Sequence, residues 1–162
     1  MVREKLKNIG NEERHTYKAQ YNGVGIKKSY DEHYLPTLLL KNIEYDGYIV
    51  ADHLWVNYTK GFSKLGELRE KDIIVFDGRV MTYQKGYYLE KRQKEYGLER
   101  PTKIHLLTER TNENLPDAIK EKNALIGYIM KTNKEFYLAN DRPYEEWYVK
   151  KYEKWLIRDK TK

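Results

Sequence analysis

Five segments with strand character, interrupted once by a helical segment, limit the possible folds more than any other feature of this chain. Residues 15–21 alternate between Tyr or Ala and polar residues, which is the period of a half-buried strand. Further strands are predicted at 37–43, 48–59, 73–83 and 102–108. Between the third and the fourth, Phe62, Leu65 and Leu68 lie three residues apart, which indicates a short helix.

Turn-forming residues refine this pattern. Asp46-Gly47 lies between the second and third predicted strands and predicts a hairpin. Gly23 and Gly25 follow the first strand and indicate a bulge or bend that lets it continue in a second direction. Two polar loops are expected, at 27–36 and at 84–100.

The order strand, strand, strand, helix, strand, strand is the connectivity of the OB-fold. The chain resembles small OB-fold proteins of bacteria and phages in the stretches DHLWVNYTKGF (52–62), KDIIVFDGRV (71–80), YQKGY (83–87) and RPTKI (100–104). This resemblance covers residues 14–108. It implies a five-stranded Greek-key barrel and, by analogy, binding of nucleic acid.

The segments on either side of the barrel have a different character. Residues 1–13 are charged and aperiodic, and we expect a short arm or a frayed helix. In residues 109–162, Asn114 and Pro116 mark one helix start, and Pro143 marks a second helix that begins near Asp141. The predicted fold class is therefore mainly β with α: an OB-fold barrel over 14–108 plus a C-terminal helical hairpin packed on it.

Composition excludes several classes of protein. The chain has no cysteine, so disulfide scaffolds, Cys-ligated zinc and thiol catalysis are ruled out. It shows neither an apolar run of membrane-spanning length nor a secretory signal, and we expect a cytoplasmic protein. Mean hydropathy is low, at −0.93, but 16 residues are Tyr, whose rings bury well, so the core must be rich in aromatic residues.

The charge balance and the aromatic loops point to nucleic acid as the partner. The chain carries 31 Lys and Arg against 25 Asp and Glu, and 16 of those cations lie within 14–108. Single-strand binding needs cations for phosphates and flat rings for bases, and both loops contain both. The predicted binding residues are Lys27, Lys28, Tyr30, Tyr34, Lys41, Trp55, Asn57, Lys85, Tyr87, Tyr88, Lys91, Arg92 and Lys94.

Two aromatic features have alternative interpretations. Trp55 faces outward if Leu54 and Val56 point into the core, and it fills the core if the strand slips by one residue; we favour the core. In the last helix, an aromatic stripe most simply packs inward. Trp147, with the cations Lys150, Lys151, Lys154 and Arg158, offers the alternative of a basic aromatic surface.

No catalytic set emerges from the spacing of residues. Asp52 and His53 are adjacent on a strand and point to opposite faces, so they cannot form a hydrogen-bonded pair. The four histidines lack metal-binding spacings, and we predict no metal and no cofactor. A metal-dependent hydrolase using Asp52, His53, Asp77 or Glu90 is the weakest alternative. The stronger alternative is a protein-interaction module, such as a phage or mobile-element inhibitor of a host defence nuclease.

Overall fold

The computed structural model describes residues 4–28, 33–85, 93–108, 119 and 121–158. In chain order the elements are α1 (Glu4–Ile9), β1 (Arg14–Lys28), β2 (Tyr34–Tyr45), β3 (Tyr48–Asn57), α2 (Lys60–Ser63), β4 (Ile73–Lys85), β5 (Gln93–Leu106), α3 (Lys122–Thr132), α4 (Lys134–Ala139) and α5 (Glu146–Arg158). Five strands with a short helix between the third and the fourth confirm the predicted order of elements.

The five strands form one open antiparallel sheet in the order β3-β2-β1-β4-β5. β1 pairs with β4 from Arg14 opposite Arg79 to Gln20 opposite Ile73. β4 pairs in turn with β5, and the register shifts between Val75 and Arg79. The chain is mainly β with α, as predicted, and within its described part the sheet is open rather than closed on itself.

The alternation predicted for β1 is confirmed. Tyr17, Ala19 and Tyr21 are buried, whereas Thr16 and Lys18 are exposed. The strand continues past both glycines to Lys28 and is therefore longer than the period alone indicated. One face of β1 thus supplies aromatic side chains to the core, which is how a chain of low mean hydropathy obtains one.

The hairpin between β2 and β3 is also confirmed. Asp46 and Gly47 are the only residues between the two strands, with φ of 51° and 84°. Two consecutive residues with positive φ define a type I′ turn, whose twist matches that of the strands it joins. Gly47 carries no steric penalty in this conformation, and Asp46 is among the residue types that tolerate it.

The prediction of a long loop at 84–100 is wrong at both ends. β4 runs to Lys85 and β5 begins at Gln93, so only residues 86–92, which lie outside the described part, separate the strands. The missed half of β5 buries Glu95, Gly97 and Leu98. A carboxylate and a glycine on the inner face conceal the apolar period that would mark a strand.

The first predicted loop is shorter for a simpler reason. Lys27 and Lys28 belong to β1, and Tyr34 begins β2. Residues 29–32 lie outside the described part. The residues at the ends of both predicted loops therefore belong to strands, because each strand continues beyond its apolar segment.

Within residues 121–158, the described stretch of the C-terminal segment, there are three helices where two were expected. α3 buries Leu125, Ile126, Ile129 and Met130. The short α4 follows immediately and was not predicted, and α5 begins at Glu146 rather than near Asp141. The start predicted at Asn114 and Pro116 lies outside the described part. None of the helices in the described ranges is long and apolar enough to cross a membrane.

The chain divides into two compact units, each assembled from three separate segments. Unit 1 comprises Met1–Gly23, Leu39–Val56 and Leu68–Asn114. Unit 2 comprises Val24–Leu38, Asn57–Glu67 and Leu115–Lys162.

Each unit has buried side chains of its own. In unit 1, Leu6 of α1, Tyr17 of β1 and Phe76 of β4 are almost completely buried. The burial of Leu6 shows that α1 is anchored rather than frayed. In unit 2, a cluster of Ile126, Met130 and Val149 is covered by the half-buried Ile26, Tyr34, Tyr144 and Tyr148.

Candidate nucleic-acid interface

Trp55 is on the surface, and the expectation that it fills the core is wrong. Its side chain is 53% exposed on β3, whereas its neighbours Leu54 and Val56 are buried. Val50, like Leu54 and Val56, is buried, and these three residues are spaced by even numbers, so Trp55 lies on the opposite, exposed side of β3. Other aromatic side chains, such as Tyr17 and Phe76, are buried, whereas the ring of Trp55 is exposed to solvent.

Lys41 is exposed on β2, in unit 1 together with Trp55. The next residue, Asn42, is also exposed and has a φ of 51°, so two successive side chains of β2 point away from the core. Asn42 is held in this conformation by its side-chain amide, whose Nδ2 donates to Gln20 Oε1 at 3.2 Å. Lys41 is exposed because it follows the buried Leu40, and the local irregularity adds Asn42 to the exposed side chains.

Two other cations on the strands of unit 1 have carboxylate partners. Lys18 Nζ lies 3.4 Å from Glu44 Oε2, and Lys103 Nζ lies 3.8 Å from Asp77 Oδ2. Asp77 also accepts a hydrogen bond of 2.6 Å from the Thr16 hydroxyl. These pairs lower the net positive charge that the sheet presents to a phosphate.

The predicted residues of unit 2 have mixed environments. Lys27 and Lys28 are exposed at the end of β1, and Asn57 is exposed at the end of β3. Tyr34 is half-buried, with its ring edge against Tyr148 at 5.6 Å between centroids. Burial, and then the charge of Glu145, raises the pKa of Tyr34. Tyr34 thus packs within unit 2, and its role as a base-stacking ring remains a prediction.

Seven predicted binding residues fall in or beside the undescribed segments. Tyr30 lies in 29–32, and Tyr87, Tyr88, Lys91 and Arg92 lie in 86–92, outside the described part of the chain. For Lys85 and Lys94 only the backbone is described, at the paired ends of β4 and β5. Lys85 is opposite Gln93, and Lys94 is opposite Gln84.

Helix α5 carries a second arrangement of aromatic rings and cations, which belongs to unit 2. Trp147 is 56% exposed, and Lys151 Nζ lies 5.0 Å from its ring centroid. The guanidinium of Arg158 lies 4.1 Å from the ring centroid of Trp155. Tyr148 and Tyr152 are half-buried, so the inward-packing interpretation applies to them and the surface interpretation to Trp147.

The residues considered for metal-dependent hydrolysis are not assembled into a site in the described ranges. Asp52 and His53 are both exposed, and Asp77 is engaged with Thr16 and Lys103. No group of three or more potential metal ligands occurs among the described side chains. Glu90 lies outside them.

Comparison of the chain with protein-family models, curated proteins and solved structures finds no match.

Proposed function

We propose that this protein is a non-enzymatic, nucleic-acid-binding protein of OB type that prefers single strands to duplex. The strand order β3-β2-β1-β4-β5 supports the fold assignment, because a five-stranded OB barrel opened between its third and fifth strands has this order. OB domains that bind nucleic acid use the face of strands two and three. Here those strands are β2 and β3.

The observation that carries the proposal is the exposed ring of Trp55 on β3. A large aromatic side chain costs free energy when left in water, and on an OB-type strand it has the position of a stacking platform. Stacking on one ring contributes about 1–3 kcal/mol per base and tolerates any sequence. The polar side chain of Asn57 follows two residues later, and two-residue spacing places both on one face of the strand.

Contacts with the phosphates of the nucleic acid would come from two groups of cations. The first group is the exposed lysines Lys27, Lys28 and Lys41. The second group lies in the sequence at and between the ends of β4 and β5 and comprises Lys85, Lys91, Arg92 and Lys94. Lysine and arginine bind phosphates without reading the base sequence. The predicted activity is therefore sequence-tolerant and needs no cofactor.

A labelled single-stranded oligonucleotide tests the proposal by fluorescence anisotropy. The wild-type chain should bind it at about 50 mM salt, where electrostatic contacts are strongest, and should bind the matching duplex more weakly. Trp55→Ala should weaken single-strand binding about five- to hundredfold, because one stacking ring is lost. Its thermal unfolding should change little, since the ring is more than half exposed.

Phe136→Ala is the matched control, because it removes an exposed aromatic side chain from α4 in unit 2. It should leave oligonucleotide affinity unchanged. Equal losses in the two variants, or no binding by the wild-type chain at low salt, would refute the proposal.

A protein partner is the second candidate, and exposed apolar side chains on α4 and α5 favour it. Phe136, Leu138, Trp147, Leu156 and Ile157 are all exposed. Aromatic and aliphatic side chains of this kind are typical of interaction surfaces. An inhibitor of a host defence nuclease would use such a surface. The oligonucleotide assay distinguishes the candidates, since this surface alone predicts no single-strand affinity.

A further inference from the structure

Helix α5 belongs to unit 2, and its two sides differ in burial and in charge. Val149 is buried, and Tyr148 and Tyr152 are half-buried, so this side of the helix packs within the unit. The helical period of 3.6 residues places the exposed side chains on the opposite side, which we call the outer face of α5. It includes Trp147, Lys150, Lys154 and Ile157.

The outer face of α5 is positively charged. Lys150 and Lys154 lie one turn apart, and in the described part of the chain neither has a carboxylate within ion-pair distance. Lys151 and Arg158 flank them on the same side of the helix. This face therefore differs from the sheet of unit 1, where lysines are paired with carboxylates.

The acidic residues of α5 do not neutralise this charge. Glu146 lies in the first turn, where the helix dipole favours a carboxylate. Glu153 Oε1 lies 3.6 Å from Lys131 Nζ of α3, so its charge is already matched. The four cations of α5 therefore stand against one unmatched carboxylate of the helix.

The stability of α5 does not explain this pattern. Like charges four residues apart on a helix repel each other, and Lys150, Lys154 and Arg158 follow one another at this spacing. The dipole favours a cation in the last turn, which accounts for Arg158 but not for the lysines before it. Arg158 is also held by Trp155, with its guanidinium 4.1 Å from the ring centroid and Nη1 donating to the carbonyl oxygen at 2.6 Å. A polyanion along the outer face would relieve the repulsion between the lysines.

A nucleic-acid duplex is the polyanion that this face suits best. Four residues of helix rise by about 6 Å, so the lysines form a rigid row of charges. A duplex carries one charge per about 1.7 Å of its axis, and each contact with it releases more counterions than a contact with a single strand. Lys151 Nζ lies over the ring of Trp147, 5.0 Å from its centroid, so one face of that ring is covered. A surface that offers charge but little open ring gains more from a duplex than from unstacked bases.

An anionic membrane is the other surface that a basic helix can bind, and the apolar residues of α5 argue against it. Helices of that kind insert a continuous apolar face between the lipid headgroups. The apolar side of α5 is instead packed within unit 2, as the burial of Val149 shows. Its exposed apolar side chains lie near the two ends, Trp147 at one and Leu156 and Ile157 at the other, with the lysines between them.

From the charge of the outer face and the packing of the inner one, we infer that α5 binds the phosphate backbone of a nucleic-acid duplex. The inference rests on the proposed function for the class of ligand, but it uses a different element in the other compact unit from Trp55. Contacts with phosphates carry no sequence information, so this binding should not depend on the sequence of the duplex. It would supply the weaker duplex affinity expected of the wild-type chain.

The double variant Lys150→Gln with Lys154→Gln tests the inference by fluorescence anisotropy with a labelled blunt-ended duplex. Both side chains are exposed, and glutamine has a similar helix propensity, so circular dichroism and thermal unfolding should match the wild type. The loss of two phosphate contacts should make the slope of log duplex affinity against log salt less negative by about 2. Duplex affinity at about 50 mM salt should fall at least about tenfold.

Lys64→Gln with Lys122→Gln is the matched control, because it removes the same charge from two exposed lysines of unit 2 outside α5. It should leave duplex affinity within about twofold of the wild type. Equal losses in the two double variants, or no duplex binding by the wild-type chain at about 50 mM salt, would overturn the inference. Binding to phosphatidylserine vesicles without binding to the duplex would overturn it in favour of a membrane.

Trp55→Ala separates this inference from the proposed function. It should weaken single-strand binding and leave duplex affinity unchanged, whereas the double variant of α5 should do the reverse. Trp55-dependent binding of single strands, with duplex affinity indifferent to the two lysines, would refute only the inference. Duplex binding that depends on the lysines, without any preference for single strands, would refute only the proposed function.

Discussion

Tyr17 shows at the scale of one residue how this chain builds a core. It is only 1% exposed, and its ring lies 5.7 Å from that of Tyr45 and 6.0 Å from that of Phe76. Among the described residues its hydroxyl has no hydrogen-bond partner. Burial, with a smaller contribution from Tyr45, raises the pKa of Tyr17 to about 12. The ring contributes apolar area, and the hydroxyl is a cost.

This environment predicts alkaline destabilisation. The pKa of Tyr17 is raised in the folded state above the unfolded value near 10, so its ionisation does not affect stability below about pH 10 and lowers stability as the pH rises towards 12. Between pH 8 and pH 11, Tyr17→Phe should lose about 1 kcal/mol less stability than the wild-type chain. At pH 8 the variant should be as stable as the wild type or more so. Urea unfolding at the two pH values measures both effects.

Tyr48→Phe is the control for this experiment, because its side chain is 69% exposed and loss of its hydroxyl does not alter the core. If Tyr17→Phe and the wild-type chain lose the same stability on going to pH 11, the buried hydroxyl has been misassigned.

The sequence around Trp55 allows two phases of β3 that differ by one residue. Leu54 and Val56 are buried, which places Trp55 on the exposed side. The phase that β3 adopts depends on how the strand pairs and packs, which no local period reveals. By contrast, the period of β1 identified the burial of Tyr17, because it runs without interruption from Tyr17 to Tyr21.

At the scale of elements, the contact between α3 and α5 depends on Gly127. A Cβ atom at this position would lie 1.9 Å from the carbonyl oxygen of Tyr148 and 3.1 Å from Cβ of Tyr152. The carbonyl oxygen of Tyr148 belongs to the backbone of α5, so it cannot move away unless the whole helix moves. Glycine lowers helix propensity, so its presence inside α3 has a packing reason.

Gly127→Ala should therefore destabilise the protein by about 2 kcal/mol or more, although alanine favours a helix by about 1 kcal/mol. The helices must move apart to admit the methyl group. Chemical denaturation followed by circular dichroism measures the change.

Gly23→Ala in β1 is the matched substitution, because no atom lies within 4 Å of its added Cβ. It should change stability by less than about 0.5 kcal/mol. A Gly127→Ala variant as stable as the Gly23→Ala variant would contradict the packing described for α3 and α5.

Elements marked by strong local signals could be predicted, and those formed by pairing could not. The hairpin at Asp46 and Gly47 has a turn signal that acts within two residues. The first half of β5 pairs with β4 residue by residue, and Glu95 on its buried side removes the apolar signal that would mark it in the sequence.

At the scale of the whole molecule, positive charge and aromatic residues are the two properties that connect the sequence to the proposed function. The net charge is +6, but several cations of the sheet and helices are paired with carboxylates. Each compact unit consists of three separate segments of the chain. The composition of consecutive residues therefore does not show which charges belong to the same unit. The charge available to a nucleic acid therefore has to be measured on the folded protein.

The dependence of oligonucleotide affinity on salt measures the charge that the folded protein offers to a nucleic acid. It also tests the central claim that this protein binds single strands. The proposed contacts comprise the three exposed lysines Lys27, Lys28 and Lys41 and four further cations at and between the ends of β4 and β5. With three to seven phosphate contacts, a plot of log affinity against log salt should have a slope between about −2 and −5. A slope near zero, or no detectable binding at about 50 mM salt, would contradict the claim.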